Sequence, residues 1–382
     1  MIEDNGITKI DLKEINKKIL FSYIYKTKKT SKHDIAVALG QSLPTITNNL
    51  NSLVQEGLVV LDGQCQSTGG RKANQICSVS TARYAIGLAI FKDSINICSV
   101  DLYGQVIQEQ TIQLHYKNSD QYYIEVCNYL NLFIESQDLP KQRLLGIGIA
   151  TQGLVSQDGS KVIYGTILNN SSMTKDNFQK HLHYPCILLH DTKASALAEI
   201  WNIESKEDAI YLLLNNNFGG VLVARGQIRS GGSGIIEHMT LHPNGKPCYC
   251  GKRGCVEAYC SALNLKEQIN CSFDIFFRKL RENDKNQIKI WKNYLKELAL
   301  VIDNIRMIVN YKVIIGGFLR QYMIEEDFDM IKTMVEDITA IKGIQLSIQP
   351  SKYGMNAAPI GAALFYIDSY LKNAGVSTNQ ES

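Results

Sequence analysis

The order of helical and strand-like runs predicts an α/β chain with a small winged helix-turn-helix in front of a two-lobed mixed α/β body. Three observations carry this. Within residues 1–80, two short helical patterns are joined by a tight turn and followed by a strand, a flexible tip and a return strand. From residue 83 a series of strands, a helix and a further strand runs, then a second series like it, which suggests two lobes with a cleft between them. In the second series three cysteines crowd between positions 248 and 255. The expected domains are residues 1–80, 83–190 and 191–382.

Composition sets the bounds. A chain of 382 residues exceeds one ordinary core, so two or three domains are expected. No apolar run reaches about 18 residues and the opening Met1-Ile-Glu-Asp-Asn-Gly6 does not read as a signal peptide, so no membrane partner is expected. Ten cysteines without such a signal favour a reducing, cytoplasmic compartment and metal binding over disulfides. The net charge of +3 sits in the N-terminal segment: 10 of the 40 basic and 7 of the 37 acidic residues fall in residues 1–80, leaving 30 of each for the rest. That small excess points the segment toward a polyanion.

Ile15, Ile19 and Tyr23 recur at helical spacing and predict a first helix over 12–25. Ser31, with Asp34 three residues on, starts a short helix that ends at Gly40. Ser42 caps the next start with Pro44 in its first turn, Ile46, Leu50, Leu53 and Val54 form the buried stripe, and Gly57 stops it. Outward this helix over 42–56 presents Thr45, Thr47, Asn48, Asn49 and Ser52. A strand over 58–63, the tip Ser67-Thr-Gly-Gly-Arg-Lys72 and a return strand over 74–79 complete a wing. The second helix of such a module enters the major groove of double-stranded DNA, so Ser42, Thr45, Thr47, Asn48 and Asn49 are candidate DNA contacts. Arg71 and Lys72 would reach phosphates or the minor groove. A winged helix used only for protein contact is the competing reading.

Beyond a short linker at 78–82, strands are expected over 84–91, 95–101, 106–114 and 144–150, with a helix over 120–135 before the last. The second series begins with a strand over 186–190 and a helix over 193–203, then strands over 209–214 and 221–224. A long helix over 287–310, a strand and turn over 313–317 and a final helix from 357 close the chain, and the tail after Asn373 reads as disordered.

The cysteine stretch is the most specific signal. Gly245, Gly251 and Gly254 give the backbone between Cys248, Cys250 and Cys255 freedom to turn each sulfur toward one point, and His238 and His242 both offer an imidazole. Three thiolates and one imidazole close the tetrahedral shell of a structural Zn²⁺ with no position left open for chemistry. Spacing alone does not choose between the two histidines.

Gly234-Ile-Ile-Glu-His238, followed by Gly245-Lys-Pro-Cys-Tyr-Cys-Gly-Lys-Arg-Gly-Cys-Val-Glu257, resembles the signature of the ROK family of repressors, uncharacterised reading frames and sugar kinases, which runs G-E-I-G-H and then G-x-x-C-x-C-G-x-x-G-C-L-E. The resemblance favours His238 as the fourth ligand beside Cys248, Cys250 and Cys255. It also implies an actin-like, ribonuclease-H-like body, and it carries Glu257 over as a contact to sugar hydroxyls. The family's other sugar-contacting Glu falls on Ile235; Glu237, two residues along, would ordinarily point elsewhere.

Kinases of this family open with I-G-x-D-x-G-G-T. Aligned from Gly87, the Asp falls on Ala89, the glycines on Phe91 and Lys92, and the Thr on Asp93. A Phe removes the close backbone approach to phosphate and a carboxylate repels it. The second phosphate loop, G-T-G-I-G-A-G, reads Asn215-Asn-Asn-Phe-Gly-Gly-Val221, so no catalysis is expected. The family's N-D-A-N-A reads His190-Asp-Thr-Lys-Ala194, which keeps the presumed kinase base as Asp191, a relic able to accept a hydrogen bond or to cap the next helix. Gly153 stands at a sugar-approaching glycine and Thr166 at a hydroxyl-contacting Thr. With His190, Asp191, His238 and Glu257 they make the expected ligand shell.

The sequence thus reads as a transcriptional regulator, a repressor of carbohydrate genes that binds an operator as a homodimer or a dimer of dimers and responds to a sugar or sugar derivative. Control by a protein partner is the alternative, and a DNA-tethered sugar kinase the remaining one. The wing reading is checked by Arg71→Ala, which is expected to weaken DNA binding across sequences and to lower the salt slope by about one unit. An unchanged slope would remove the wing tip from the interface.

Overall fold

The computed structural model describes residues 9–62, 75–201, 207–229, 236–340, 342–343, 345–354 and 356–376. The N-terminal head contains α1 (Lys9–Thr27), β1 (Lys29–Thr30), α2 (Lys32–Leu39), α3 (Leu43–Gln55), β2 (Val59–Asp62) and β3 (Gln75–Ser78). The three strands form one antiparallel sheet in the order β1-β3-β2, in which β1 had no sequence signal. Ser31 and Ser42 cap α2 and α3, each accepting a hydrogen bond from the backbone three residues on. The tip residues Arg71 and Lys72 lie outside the described residues.

Two expectations for these helices are corrected. Ile15 and Ile19 are exposed, and α1 instead buries Leu20, Phe21 and Ile24 against Ile46, Leu50 and Leu53 of α3. Both stripes have helical spacing; the one on the side of Tyr25, which bonds to the body, faces inward. Val54 is also exposed, and Asn49 takes the inward place on α3 that Val54 was expected to share.

The body opens with β4 (Tyr84–Ile90), β5 (Ser94–Asp101), β6 (Val106–Gln113), α4 (Asp120–Glu135) and β7 (Leu144–Thr151). The hairpin β8 (Leu154–Val155) and β9 (Val162–Tyr164) follows, then α5 (Asp176–Gln179), β10 (Cys186–His190) and α6 (Asp191–Ile200). The second half contains β11 (Ala209–Leu214), β12 (Phe218–Ala224), β13 (Gln227–Ile228), α7 (Glu257–Cys260), α8 (Ala262–Gln268), α9 (Phe273–Arg281), α10 (Lys285–Arg306), β14 (Lys312–Gly316), α11 (Glu325–Ile338), β15 (Ile348–Pro350) and α12 (Ala357–Asn373).

Two five-stranded sheets result, ordered β10-β7-β4-β5-β6 and β13-β12-β11-β14-β15. Each joins three antiparallel strands to two parallel ones, the duplicated plan of an actin-like body. The strand at Cys186–His190, read from the sequence as opening the second series, instead pairs with β7 and completes the first sheet.

Helices α6 and α12 lie between the sheets. Their residues Ala196, Leu197, Ile200, Ile360, Ala363 and Leu364 join Ala85 and Val100 of the first sheet and Tyr211 and Val221 of the second in one core, which runs on into the N-terminal helices. The other face of the first sheet is covered by α4 and α5, and that of the second by α7–α11. Small residues set the spacing: a Cβ on Gly361 would fall 1.6 Å from the Ala194 carbonyl oxygen, so α12 and α6 touch backbone to backbone. The chain beyond Asn373 also stays packed for a turn, with Val376 buried and its N–H bonded to Leu371.

Candidate functional site

A cleft open to solvent lies where β7, β10 and β11 end and α6 begins. Gly153, Thr166, His190, Asp191 and His238 line it, bringing together five of the six expected ligand residues. Asn170 shapes the 151–153 loop, donating to the Thr151 hydroxyl at 3.1 Å and the Gln152 carbonyl at 2.9 Å. The Asp191 carboxylate accepts the Thr192 N–H at 2.8 Å and faces His190 Nε2 at 3.4 Å, both through Oδ1. Burial pushes the Asp191 carboxyl above its usual range, with His190 pulling it back, and the same burial pushes the His190 imidazole down.

Glu257, expected as a sugar contact, is held by the wall of the cleft. Its Oε2 accepts the Phe218 N–H at 2.6 Å and its Oε1 the Asn217 side chain at 2.8 Å, which places it behind the lining rather than in it. As the first residue of α7 it is fixed by the turn that follows Cys255, and β12 begins against it. The residue that reaches the cleft is Glu237. It sits in a short 3₁₀ turn, Ile236–His238, where side chains fan out about every 120°, and that tight winding separates its direction from the one sequence spacing suggested. Burial pushes its carboxyl up to about 8, with Glu257 and Asp191 adding to the effect. Tyr164, Asn217 and Tyr249 also line the cleft without having been foreseen. Only position signals them, since all three flank motif residues. Ile235 lies outside the described residues.

The loop next to the cleft gathers His238, Cys248, Cys250 and Cys255 with their ligand atoms within 4.8 Å of one another. His238 Nδ1 is 3.6 Å from Cys248 Sγ, and the Cys250 and Cys255 sulfurs are 3.7 Å apart. A tetrahedral ion held at about 2.0–2.3 Å needs ligand atoms about 3.5–3.8 Å apart, so the cluster fits a metal of that kind. His242 is excluded, its Nε2 lying 2.6 Å from a Glu297 carboxylate oxygen. Gly254 is obligatory here: at φ 78° it passes so close to His242 that a Cβ would fall 1.6 Å from the carbonyl oxygen. The cluster also orders the cleft wall, because His238 lines it and packs edge-on against Tyr249 at 5.1 Å.

Where kinases of this fold cradle phosphates, the chain closes on itself. Phe91 N–H donates to Ser94 in the tight β4–β5 turn, and Phe91 packs on the alanine cluster of Ala89, Ala150, Ala194, Ala358 and Ala362. Asp93 pairs with His115 at 2.7 Å. Asn215 accepts the Phe318 N–H at 2.6 Å, so the former second phosphate loop is tied to the turn after β14.

On the N-terminal head, Ser42 and Asn48 are exposed and Thr45 and Thr47 half-buried, while Asn49 is only 3 % exposed. Asn49 stands three residues after Ile46 and four before Leu53, on the inward stripe of α3, and is withdrawn as a base contact.

Fold and cleft together define a two-lobed, actin-like protein with an open cleft and a metal-competent loop beside it. The model described as the ROK family matches residues 85–369, and the chain belongs to that family. It is 27% identical over 376 residues to the xylose repressor of Bacillus subtilis (strain 168), covering 94% of this chain and 97% of that protein. It is 26% identical over 270 residues to the DNA-binding transcriptional dual regulator NagC of Escherichia coli (strain K12), covering 69% of this chain and 66% of that one. Among solved structures, a ROK family transcriptional regulator described as a homolog of the E. coli MLC protein superposes with a TM-score of 0.75 at 19% identity, covering 95% of this chain and 98% of the other. Relatives matched along nearly the whole chain are repressors, which agrees with a non-enzymatic reading.

Proposed function

We propose that this chain is a DNA-binding transcriptional regulator, a repressor of carbohydrate genes whose cleft binds a sugar and whose N-terminal segment is a winged helix-turn-helix. The observation that carries the reading is the match to a xylose repressor across 94% of the chain, head and body together. The α2–α3 pair and the β2–β3 pair have the order of a module that places α3 in a major groove, with Ser42 and Asn48 exposed and Thr45 and Thr47 half-buried, and in the sequence Arg71 and Lys72 fall between the two strands. A homodimer on a two-fold operator follows from the usual match of protein and site symmetry. The cluster of His238, Cys248, Cys250 and Cys255 would hold a structural Zn²⁺, which supplies a rigid four-way crosslink and no reaction.

Ligand binding has a material route to the head. Helix α6 starts at Asp191 in the cleft and ends at Ile200, and the next residue, Trp201, sits on Gly104 so tightly that a Cβ there would fall 2.4 Å from the indole ring. The next residue back, Tyr103, stacks on Tyr25 of α1 at 4.5 Å and donates to its carbonyl at 3.0 Å. A sugar that favours one placement of α6 would bias the head through this junction, provided its affinity for the two placements differs.

The function is tested by selecting genomic DNA fragments on the full-length protein and titrating the complex with D-xylose, D-glucose and N-acetyl-D-glucosamine in fluorescence anisotropy. Sequence-specific binding whose midpoint shifts about tenfold with one sugar is expected. Failure to retain any specific fragment would contradict the assignment. For the metal, native mass spectrometry is expected to find one zinc per chain and Cys250→Ser to lose it together with thermal stability. A folded wild-type protein with no metal would refute the zinc site.

A further inference from the structure

The cleft holds two carboxyl side chains almost wholly out of solvent, Asp191 and Glu237, each 7 % exposed. Asp191 is engaged by Thr192 and His190. Glu237 is different: its Oε2 is shielded from solvent and has no hydrogen-bond partner, although the side chain lines the cleft. A buried oxygen left without a donor is unfavourable, and a ligand hydroxyl placed against it would relieve that state. Among the described residues no lysine or arginine lines the cleft. The positive end of α6 would by itself favour an anion, but Asp191 is the first residue of that helix and offsets it.

These facts go beyond the reading of the cleft as a sugar site and rest on it. We propose that Glu237 selects the ligand: its unpaired carboxyl oxygen accepts a hydrogen bond from a hydroxyl of an uncharged sugar, and a described lining without lysine or arginine leaves a phosphorylated or acidic sugar with no cation to pair it. The local fold explains how. Ile236 packs into the second sheet, where a Cβ on Gly220 would meet it at 2.8 Å, and the tight turn then directs Glu237 and His238 to the cleft. A carboxylate thus reaches the ligand from a position two residues away from Ile235, the place where related kinases carry theirs.

The test is calorimetric titration of the zinc-loaded, full-length protein with D-xylose, D-glucose and N-acetyl-D-glucosamine and with the terminal-hydroxyl phosphate of each. In the wild type, the free sugar that binds is expected to exceed its phosphate by about tenfold or more, since the phosphate would give up water with no cation to pair it. Glu237→Ala is expected to weaken that sugar by about tenfold, and Glu237→Gln, which keeps the volume and an acceptor oxygen, to retain most of the affinity. Zinc content and melting temperature are measured alongside, because His238 is the next residue. A phosphate that binds wild type as tightly as its free sugar overturns the proposal without any variant. So does unchanged sugar affinity in folded Glu237→Ala, which would leave the sugar-responsive reading intact. Silence of the wild type toward every free sugar and phosphate would instead sink the sugar reading and this inference with it.

Discussion

Helix α6 is the constraint on which the rest of the structure turns. Nine of its ten residues are buried, all but Lys193, so the helix has a sheet or another helix on nearly every side. Its alanines admit α12 to backbone contact at Gly361, and Glu199 near its end accepts the N–H groups of Lys352 and Tyr353 at 3.0 and 2.9 Å. An element so enclosed cannot flex independently; close-packed interiors favour discrete placements over gradual bending. With about 1.5 Å of rise per residue, it spans roughly 15 Å from the cleft to the head. One enclosed helix therefore has one end in the cleft and the other beside the junction with α1.

The cleft and the lost phosphate sites have a common physical logic. A phosphate bed needs backbone free to approach the anion, and here Phe91 and Asn215 close that space with packing and a hydrogen bond. What is left concentrates carboxyl groups, Asp191, Glu237 and Glu257, in a partly enclosed volume. Such a cluster is costly unless its members are hydrogen-bonded, and two of the three are. The metal-competent loop stands beside it, contributing His238 and Tyr249 to the wall, so order in that loop and shape in the cleft are one property.

Much of this was legible in the sequence because it is written in local chemistry. Ser31 and Ser42 mark helix starts because a hydroxyl can satisfy a free backbone N–H, and both caps are made. The spacing of Cys248, Cys250 and Cys255 with glycines between them leaves few ways to fold other than toward a common point. The misplacements are of another kind. Ile15 and Ile19 fit a helical stripe as well as Leu20 and Ile24 do, and only the docking of Tyr25 onto Leu102 decides which faces in. Asn49 is polar yet lies on the buried face, because register and not polarity sets direction. Glu237 was passed over because its direction depends on how residues 236–238 are wound, and nothing in the local sequence announces the 3₁₀ turn. The partner of the 186–190 strand is a long-range choice that no local pattern encodes.

The central claim is that α6 and the Trp201–Gly104–Tyr103–Tyr25 junction carry the sugar's effect to the DNA-reading head. The direct measurement is the ratio of operator affinities with and without the effector sugar, in wild type and in Tyr103→Ala, which touches neither ligand. The account predicts that Tyr103→Ala binds sugar and operator nearly as well as wild type while the ratio falls from about tenfold to about unity. A variant that stays folded, binds both and keeps the full ratio would contradict it.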